Sequence, residues 1–138
     1  MKEQLISFET AKLAKEKGFD LKCNCHWSTY DNNGVLNNFL RIEDNLKRDY
    51  NNYNFAYISN KNEELFSAPS QSLLQRWLRE KHQINIDVET LGKENSIKYS
   101  FDLVYILETL HVKSFKEIFE TYEDALEFGL QEALKLIL

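Results

Sequence analysis

The stretch Ile97-Lys98-Tyr99-Ser100-Phe101-Asp102-Leu103-Val104-Tyr105-Ile106-Leu107 carries the clearest structural signal in this chain. Its large apolar and aromatic side chains alternate with Lys98, Ser100 and Asp102, which is the two-residue period of a β-strand with one buried face. Val104 and Ile106 interrupt the alternation and make the second half apolar on both faces. We therefore expect this end of the strand to be covered, either by another part of the chain or by a partner.

The segments on either side extend this strand into two predicted hairpins. Residues 84–88 alternate in the same way, and residues 92–96 supply a turn, which predicts an antiparallel neighbour. Upstream, residues 23–29 also alternate, and Asp, Asn and Gly at 31–34 favour a turn. We expect the return strand of this first hairpin over residues 35–42.

Three amphipathic segments predict helices around these hairpins. The first covers residues 3–17 and ends at Gly18, which suits a left-handed helix stop. The second begins with Ser67 as N-cap and Pro69 in its first turn, where a missing N–H has no cost. The third begins with Thr121 as N-cap.

The resulting order is helix, hairpin, helix, hairpin, helix, which predicts an α+β fold. We expect one domain over residues 1–138, with a mainly antiparallel sheet of 4–5 strands and three helices on one face. Residues 43–66 leave two alternatives. Tyr53, Phe55 and Tyr57 alternate as a short edge strand would, and a mobile excursion of the first hairpin is the other interpretation.

Composition places the chain among ordinary globular proteins and limits its partners. Hydrophobic residues make up 43% and charged residues 28% of 138 residues, close to the globular average. No signal peptide and no apolar run of membrane-spanning length is apparent. These features predict a cytoplasmic protein without membrane contact. The net charge of −5 argues against nucleic acid as a partner.

The run Cys23-Asn24-Cys25-His26 contains residue types that bind zinc. Zinc knuckles usually place two to four residues between paired cysteines, whereas one residue separates these two. On a strand, both thiols point to one face and His26 to the other. We interpret Cys23 and Cys25 as core residues, and we predict no metal and no cofactor.

The second predicted helix carries Gln75, Arg76 and Arg79, side chains that often contact nucleic acid. Trp77 falls on the apolar stripe of this helix, and Glu80 lies beside Arg76. We therefore expect an ordinary solvated helix face. Nucleic-acid binding through Gln75, Arg76 and Arg79 is the alternative function.

The sequence also offers candidates for a protein-contact surface. On the third helix, Phe128 falls outside the apolar stripe and is predicted to be exposed. Together with Val104 and Ile106, it could form an apolar patch large enough to need covering. The predicted cover is an unknown protein partner or a second copy in a homodimer. Residues 43–66 or 109–120 of the same chain are the alternative cover.

Three stretches resemble small uncharacterised proteins carried by gut anaerobic bacteria and by their phages or integrated mobile elements. They are residues 7–19, 67–80 and 121–127, one in each predicted helix. The resemblance implies an intracellular protein of phage or mobile-element origin, and it implies no activity. Because no catalytic motif is present, we expect a non-enzymatic accessory protein acting through protein contacts. An enzyme with a scattered site is a weaker alternative.

Overall fold

The computed structural model describes residues 3–30, 36–42, 64–93 and 95–138. It is an α+β structure with three helices and two antiparallel three-stranded sheets, in strand orders β2-β1-β3 and β4-β5-β6. The elements are α1 (Phe8–Glu16), β1 (Cys25–Tyr30), β2 (Leu36–Ile42), β3 (Leu65–Ser67), α2 (Gln71–His82), β4 (Ile84–Lys93), β5 (Ser96–Leu107), β6 (Thr109–Ser114) and α3 (Tyr122–Lys135).

These elements form two compact units. The N-terminal unit comprises residues 5–70, and the C-terminal unit comprises residues 71–138 together with residues 1–4. The expectation of one domain over residues 1–138 stays a prediction. No helix in the described part of the chain is long and apolar enough to cross a membrane.

Helix α1 begins later than its sequence pattern predicts. Ser7 is its N-cap, and the Ser7 hydroxyl accepts a hydrogen bond of 3.2 Å from the Thr10 backbone N–H. Local capping chemistry therefore fixes the start at Phe8 and not at residue 3. The predicted end is confirmed, since Gly18 follows the helix with a φ of +89°.

The N-terminal sheet is buried on both faces of its central strand. Cys25 points to one face of the sheet, and His26 and Ser28 point to the opposite face. All three residues are nevertheless buried. The alternation of residues 23–29 predicts a strand with one core-facing side, and this prediction is wrong. Strand β3 pairs Ser67 with His26 and Phe66 with Trp27. The predicted turn at 31–34 and residues 43–63 of the predicted excursion lie outside the described residues.

Helix α2 also begins later than predicted. Ser67 is the last residue of β3 and is buried, so it belongs to a sheet ladder and not to a helix cap. Pro69 precedes the helix, which begins at Gln71. The prediction that Trp77 lies on the apolar side of α2 is confirmed, and Leu74 and Leu78 are also buried.

The predicted second hairpin is confirmed and gains a third strand. Strands β4 and β5 pair from Ile84 with Tyr105 to Lys93 with Ser96. Strand β6 follows after Glu108, whose φ is +62°. The single sheet of 4–5 strands is thus wrong, because β3 and β6 each complete a separate three-stranded sheet.

Helix α3 covers one face of the C-terminal sheet, which we call the inner face. Its N-cap is Thr121, as predicted, with 3.1 Å between the Asp124 nitrogen and the Thr121 hydroxyl. The helix approaches so closely that a Cβ on Gly129 would lie 2.8 Å from Cγ2 of Ile86 and 3.2 Å from Cδ2 of Phe101. Glycine is therefore required at this contact, because a side chain would displace the β4 and β5 residues beneath it.

Candidate functional site

The opposite, outer face of the C-terminal sheet carries an exposed apolar patch. Val104 pairs with Val112, and Ile106 pairs with Leu110. Directly opposed residues point to the same face of an antiparallel sheet. Ile106, Leu110 and Val112 are 51%, 67% and 60% exposed, while Val104 is half-buried. These four residues, hereafter the apolar patch, form two adjacent cross-strand pairs open to solvent.

Strand β6 doubles the number of residues in the predicted apolar patch, because it adds Leu110 and Val112 to Val104 and Ile106. Leu110 and Val112 alternate with polar neighbours, so both fall on the outer face once β6 pairs with β5. The one-residue connection at Glu108 fixes this register. The alternation at 110 and 112 is visible in the sequence, but it spans too few residues to predict a strand by itself.

The other end of the same face is acidic. Asp87 lies opposite Asp102, and Glu89 is the next outward-facing residue along β4. A hydrogen bond with Asp102, and then the negative charge of Asp102, raise the pKa of the exposed Glu89 carboxyl above its usual value. Asn85 donates a hydrogen bond of 2.6 Å to Asp87. The outer face therefore has an apolar half and an acidic half. We call the acidic half, formed by Asp87, Glu89 and Asp102, the acidic end.

A small cleft continues the apolar patch around the end of the sheet. Its volume is about 270 Å³. Ile106 lines the cleft as well as belonging to the patch, whereas the other sheet residues of the cleft, Ile84, Tyr105 and Leu107, belong to the inner face. The remaining lining residues are His82, Ile84, Tyr105, Leu107, Leu136, Ile137 and Leu138.

Phe128 does not join this surface. Its ring is half-buried and lies 5.8 Å from the ring of Phe101 and 5.4 Å from that of Phe119, measured between centroids. The prediction of an exposed ring is wrong because the segment before α3 supplies aromatic neighbours on the inner face. Phe128 is therefore a packing residue in this structure.

The predicted cover of Val104 and Ile106 by residues 109–120 is also wrong. Residues 109–114 lie beside β5 as a strand, in the plane of the sheet. Phe115 stacks on Phe101 with centroids 4.4 Å apart, and Phe119 forms a bridge with Tyr99. Both rings therefore lie on the inner face, and this segment leaves the apolar patch exposed.

The nucleic-acid candidates on α2 are only partly available. The Gln75 amide donates a hydrogen bond of 3.2 Å to the Ile86 carbonyl and is half-buried, so it points towards β4. Arg76 is exposed and lies 3.8 Å from Glu80. Arg79 is exposed. Two arginines thus share the solvent side of α2, without the glutamine that base recognition would use.

The two cysteines lie in the core, as the sequence indicates. Cys23 and Cys25 are 5% and 4% exposed. The Cys23 thiol donates to the Cys25 carbonyl at 3.2 Å. Burial raises the pKa of both thiols, so thiolate chemistry is disfavoured. Among the described residues, no group of three His, Cys, Asp or Glu side chains is placed to hold a metal ion.

Comparison with known proteins identifies no relative of this chain. No protein-family model matches the chain, and neither the curated proteins nor the solved structures contain a match.

Proposed function

We propose that this chain is a small, non-enzymatic accessory protein that acts by binding another protein through the outer face of its C-terminal sheet. The observation that supports the proposal is the apolar patch. Four large aliphatic residues form two neighbouring cross-strand pairs, and three of them are more than half exposed. Contiguous exposed apolar surface of this kind is typical of interaction sites, whereas single exposed apolar residues are ordinary.

The surrounding structure supports a contact surface more than a catalytic one. The cleft beside Ile106 is small and largely apolar, and its aliphatic lining suits an inserted side chain. Our proposal also keeps the cytoplasmic location and the phage or mobile-element origin that the resemblance implies. Nucleic-acid binding through Arg76 and Arg79 is the second candidate, favoured by the exposure of both arginines.

The test is a selection of random peptides on the purified protein, followed by binding measurements on two patch variants and one control variant. Ile106→Ser and Leu110→Ser remove apolar area from the patch, and Ile97→Ser removes an equally exposed aliphatic side chain (61%) elsewhere on β5. We expect the selected peptides to lose at least about tenfold in affinity on either patch variant. Ile97→Ser should change the affinity by less than about twofold.

Peptides that bind wild type and both patch variants equally would contradict the proposed function. A parallel titration with duplex DNA, compared between wild type and an Arg76→Ala, Arg79→Ala double variant, tests the second candidate. We expect no arginine-dependent binding tighter than roughly micromolar at physiological salt.

A further inference from the structure

The acidic end and the apolar patch share one face, and together they define the chemistry of an occupant. Asp102 and Ile106 are four positions apart on β5, which is about 14 Å along a strand. Three carboxylates (Asp87, Glu89, Asp102) lie at one end of that distance. Ile106 and Leu110 lie at the other end, and the pair Val104 and Val112 lies midway. The remaining described charge on this face of β5, Lys98, is already paired with Glu120.

We propose that the outer face binds an amphipathic helix of a different protein, with an apolar stripe on the patch and basic side chains over the acidic end. This inference rests on the proposed function and specifies the partner. The sheet is three strands wide, about 10 Å between its outer strands, which matches the diameter of a helix. The inner face already carries a helix, α3, which packs on β4 and β5. Helices on both faces of a sheet are a stable layer arrangement.

The length of the surface sets the length of the helix. About nine helical residues span the 14 Å between the acidic end and Ile106. A segment of three to four turns therefore covers both halves of the face. The sheet has two edge strands, β4 and β6. A strand added beside β6 would lie about three strand spacings, about 14 Å, from Asp87 and Glu89 on β4, and one added beside β4 would lie equally far from Leu110 and Val112 on β6. The position of the acids thus favours a helix across the face over a strand at its edge.

The charge of the acidic end favours a different protein over a second copy of this chain as the occupant of the outer face. Asp87 lies opposite Asp102, and Glu89 is the next residue of β4 on the same face, so a Lys or Arg side chain placed there relieves the repulsion between these carboxylates as well as forming an ion pair. A second copy of this chain carries the same acids and a net charge of −5. A basic partner is therefore electrostatically complementary, and a copy is not.

The test uses two synthetic helical peptides of roughly 14 residues, which is about four turns, labelled for fluorescence anisotropy. Both carry leucines at i, i+3, i+4 and i+7 spacing; one has lysines beside the stripe, and its twin has glutamates at the same positions. We expect the lysine peptide to bind wild type at least about tenfold more tightly than the glutamate twin. Ile106→Ser should weaken the lysine peptide by a similar factor.

A matched pair of charge variants separates local complementarity from general attraction to an acidic protein. Glu89→Gln with Asp102→Asn removes two charges from the acidic end. Glu123→Gln with Asp124→Asn removes two from exposed positions on α3, the helix of the inner face. We expect at least about fivefold weaker binding of the lysine peptide for the first pair and less than about twofold for the second. Equal effects would overturn the proposal.

The other outcomes are also decisive. If neither peptide binds, the inference about the partner is overturned. Peptides from the random selection that lose affinity on the patch variants would still support the proposed function. If both peptides bind wild type equally well and both lose affinity in Ile106→Ser, the inference of a basic partner is contradicted, whereas the contact surface is supported. A 33 kDa dimer in light scattering (twice the 16.4 kDa chain) that dissociates on Ile106→Ser would identify a second copy as the occupant and overturn the inference.

Discussion

The two three-stranded sheets differ in how their faces are used. In the N-terminal sheet, Cys25, His26 and Ser28 of β1 are all buried, although neighbouring residues of a strand point to opposite sides. In the C-terminal sheet, α3 covers the inner face, and Ile106, Leu110 and Val112 remain exposed on the outer face. A sheet with both faces buried contributes to the stability of the fold, whereas an apolar open face is available for binding.

The largest expected effect is the contrast between a charge placed in each sheet. Ser28 is fully buried in β1, and Val112 is 60% exposed in β6. We expect Ser28→Lys to lower the free energy of unfolding by more than about 4 kcal/mol, since an ammonium group would lose its hydration. Val112→Lys should cost less than about 1 kcal/mol, the range of strand propensity. Urea denaturation of both variants checks the contrast, and similar losses of stability would show that the two environments do not differ.

A second contrast lies within one strand. Leu103 is fully buried on the inner face, and Ile106 is half-exposed on the outer face. Leu103→Ala should cost about 2–5 kcal/mol, because it removes buried contacts and leaves a cavity. Ile106→Ala should cost less than about 1 kcal/mol and should instead weaken peptide binding. If Ile106→Ala destabilises the fold as much as Leu103→Ala, the outer face is structural and not a contact surface.

The smallest expected effect concerns pH at the acidic end. The pKa of Glu89 is raised in the folded protein by its hydrogen bond with Asp102 and by the charge of that residue. The folded state therefore binds this proton more tightly than the unfolded state, and the stability falls as pH rises through the interval between the ordinary and the raised pKa. Glu89→Gln should be slightly more thermostable than wild type at pH 7, and this advantage should shrink as the pH falls towards 4.5. Thermal melts across this range measure it.

Glu117→Gln, which removes one exposed carboxylate outside the acidic end, is the matched control for the loss of a single charge. A Glu89→Gln advantage that stays constant with pH, or that grows in acid, would contradict the interaction between Glu89 and Asp102.

The sequence predicts the elements whose signals are long and local. The alternation over 97–107 and the Thr121 cap lie within a few residues of the structure they specify, and both are confirmed. The turn predicted over 92–96 is too long, because Gly92, Lys93 and Ser96 are paired strand residues. Ser67 shows the limit of such signals, since Ser followed by Pro two residues later resembles a helix start. Its ladder with His26 lies about forty residues away in the sequence, and no local pattern reveals that pairing.

The same distinction applies to the candidate site. Val104 and Ile106 break the alternation of their own strand, so the sequence alone marks them as unusual. Leu110 and Val112 become part of the patch only through the register of β6, which the conformation at Glu108 determines. The prediction for Phe128 fails for the converse reason: its position on the helix is as predicted, but its neighbours Phe101 and Phe119 come from other segments.

The most direct test of the contact surface is an NMR titration of isotope-labelled protein with the lysine peptide, read at each backbone amide. Our account predicts that the largest shift changes lie in the outer face, at residues 85–89 of β4 and 102–112 of β5 and β6. In the Ile106→Ser variant, the same peptide at equal concentration should produce clearly smaller shift changes at these amides, because its affinity is about tenfold lower. Largest changes around Arg76 and Arg79, or within residues 5–70, would contradict the assignment of the contact surface to this face.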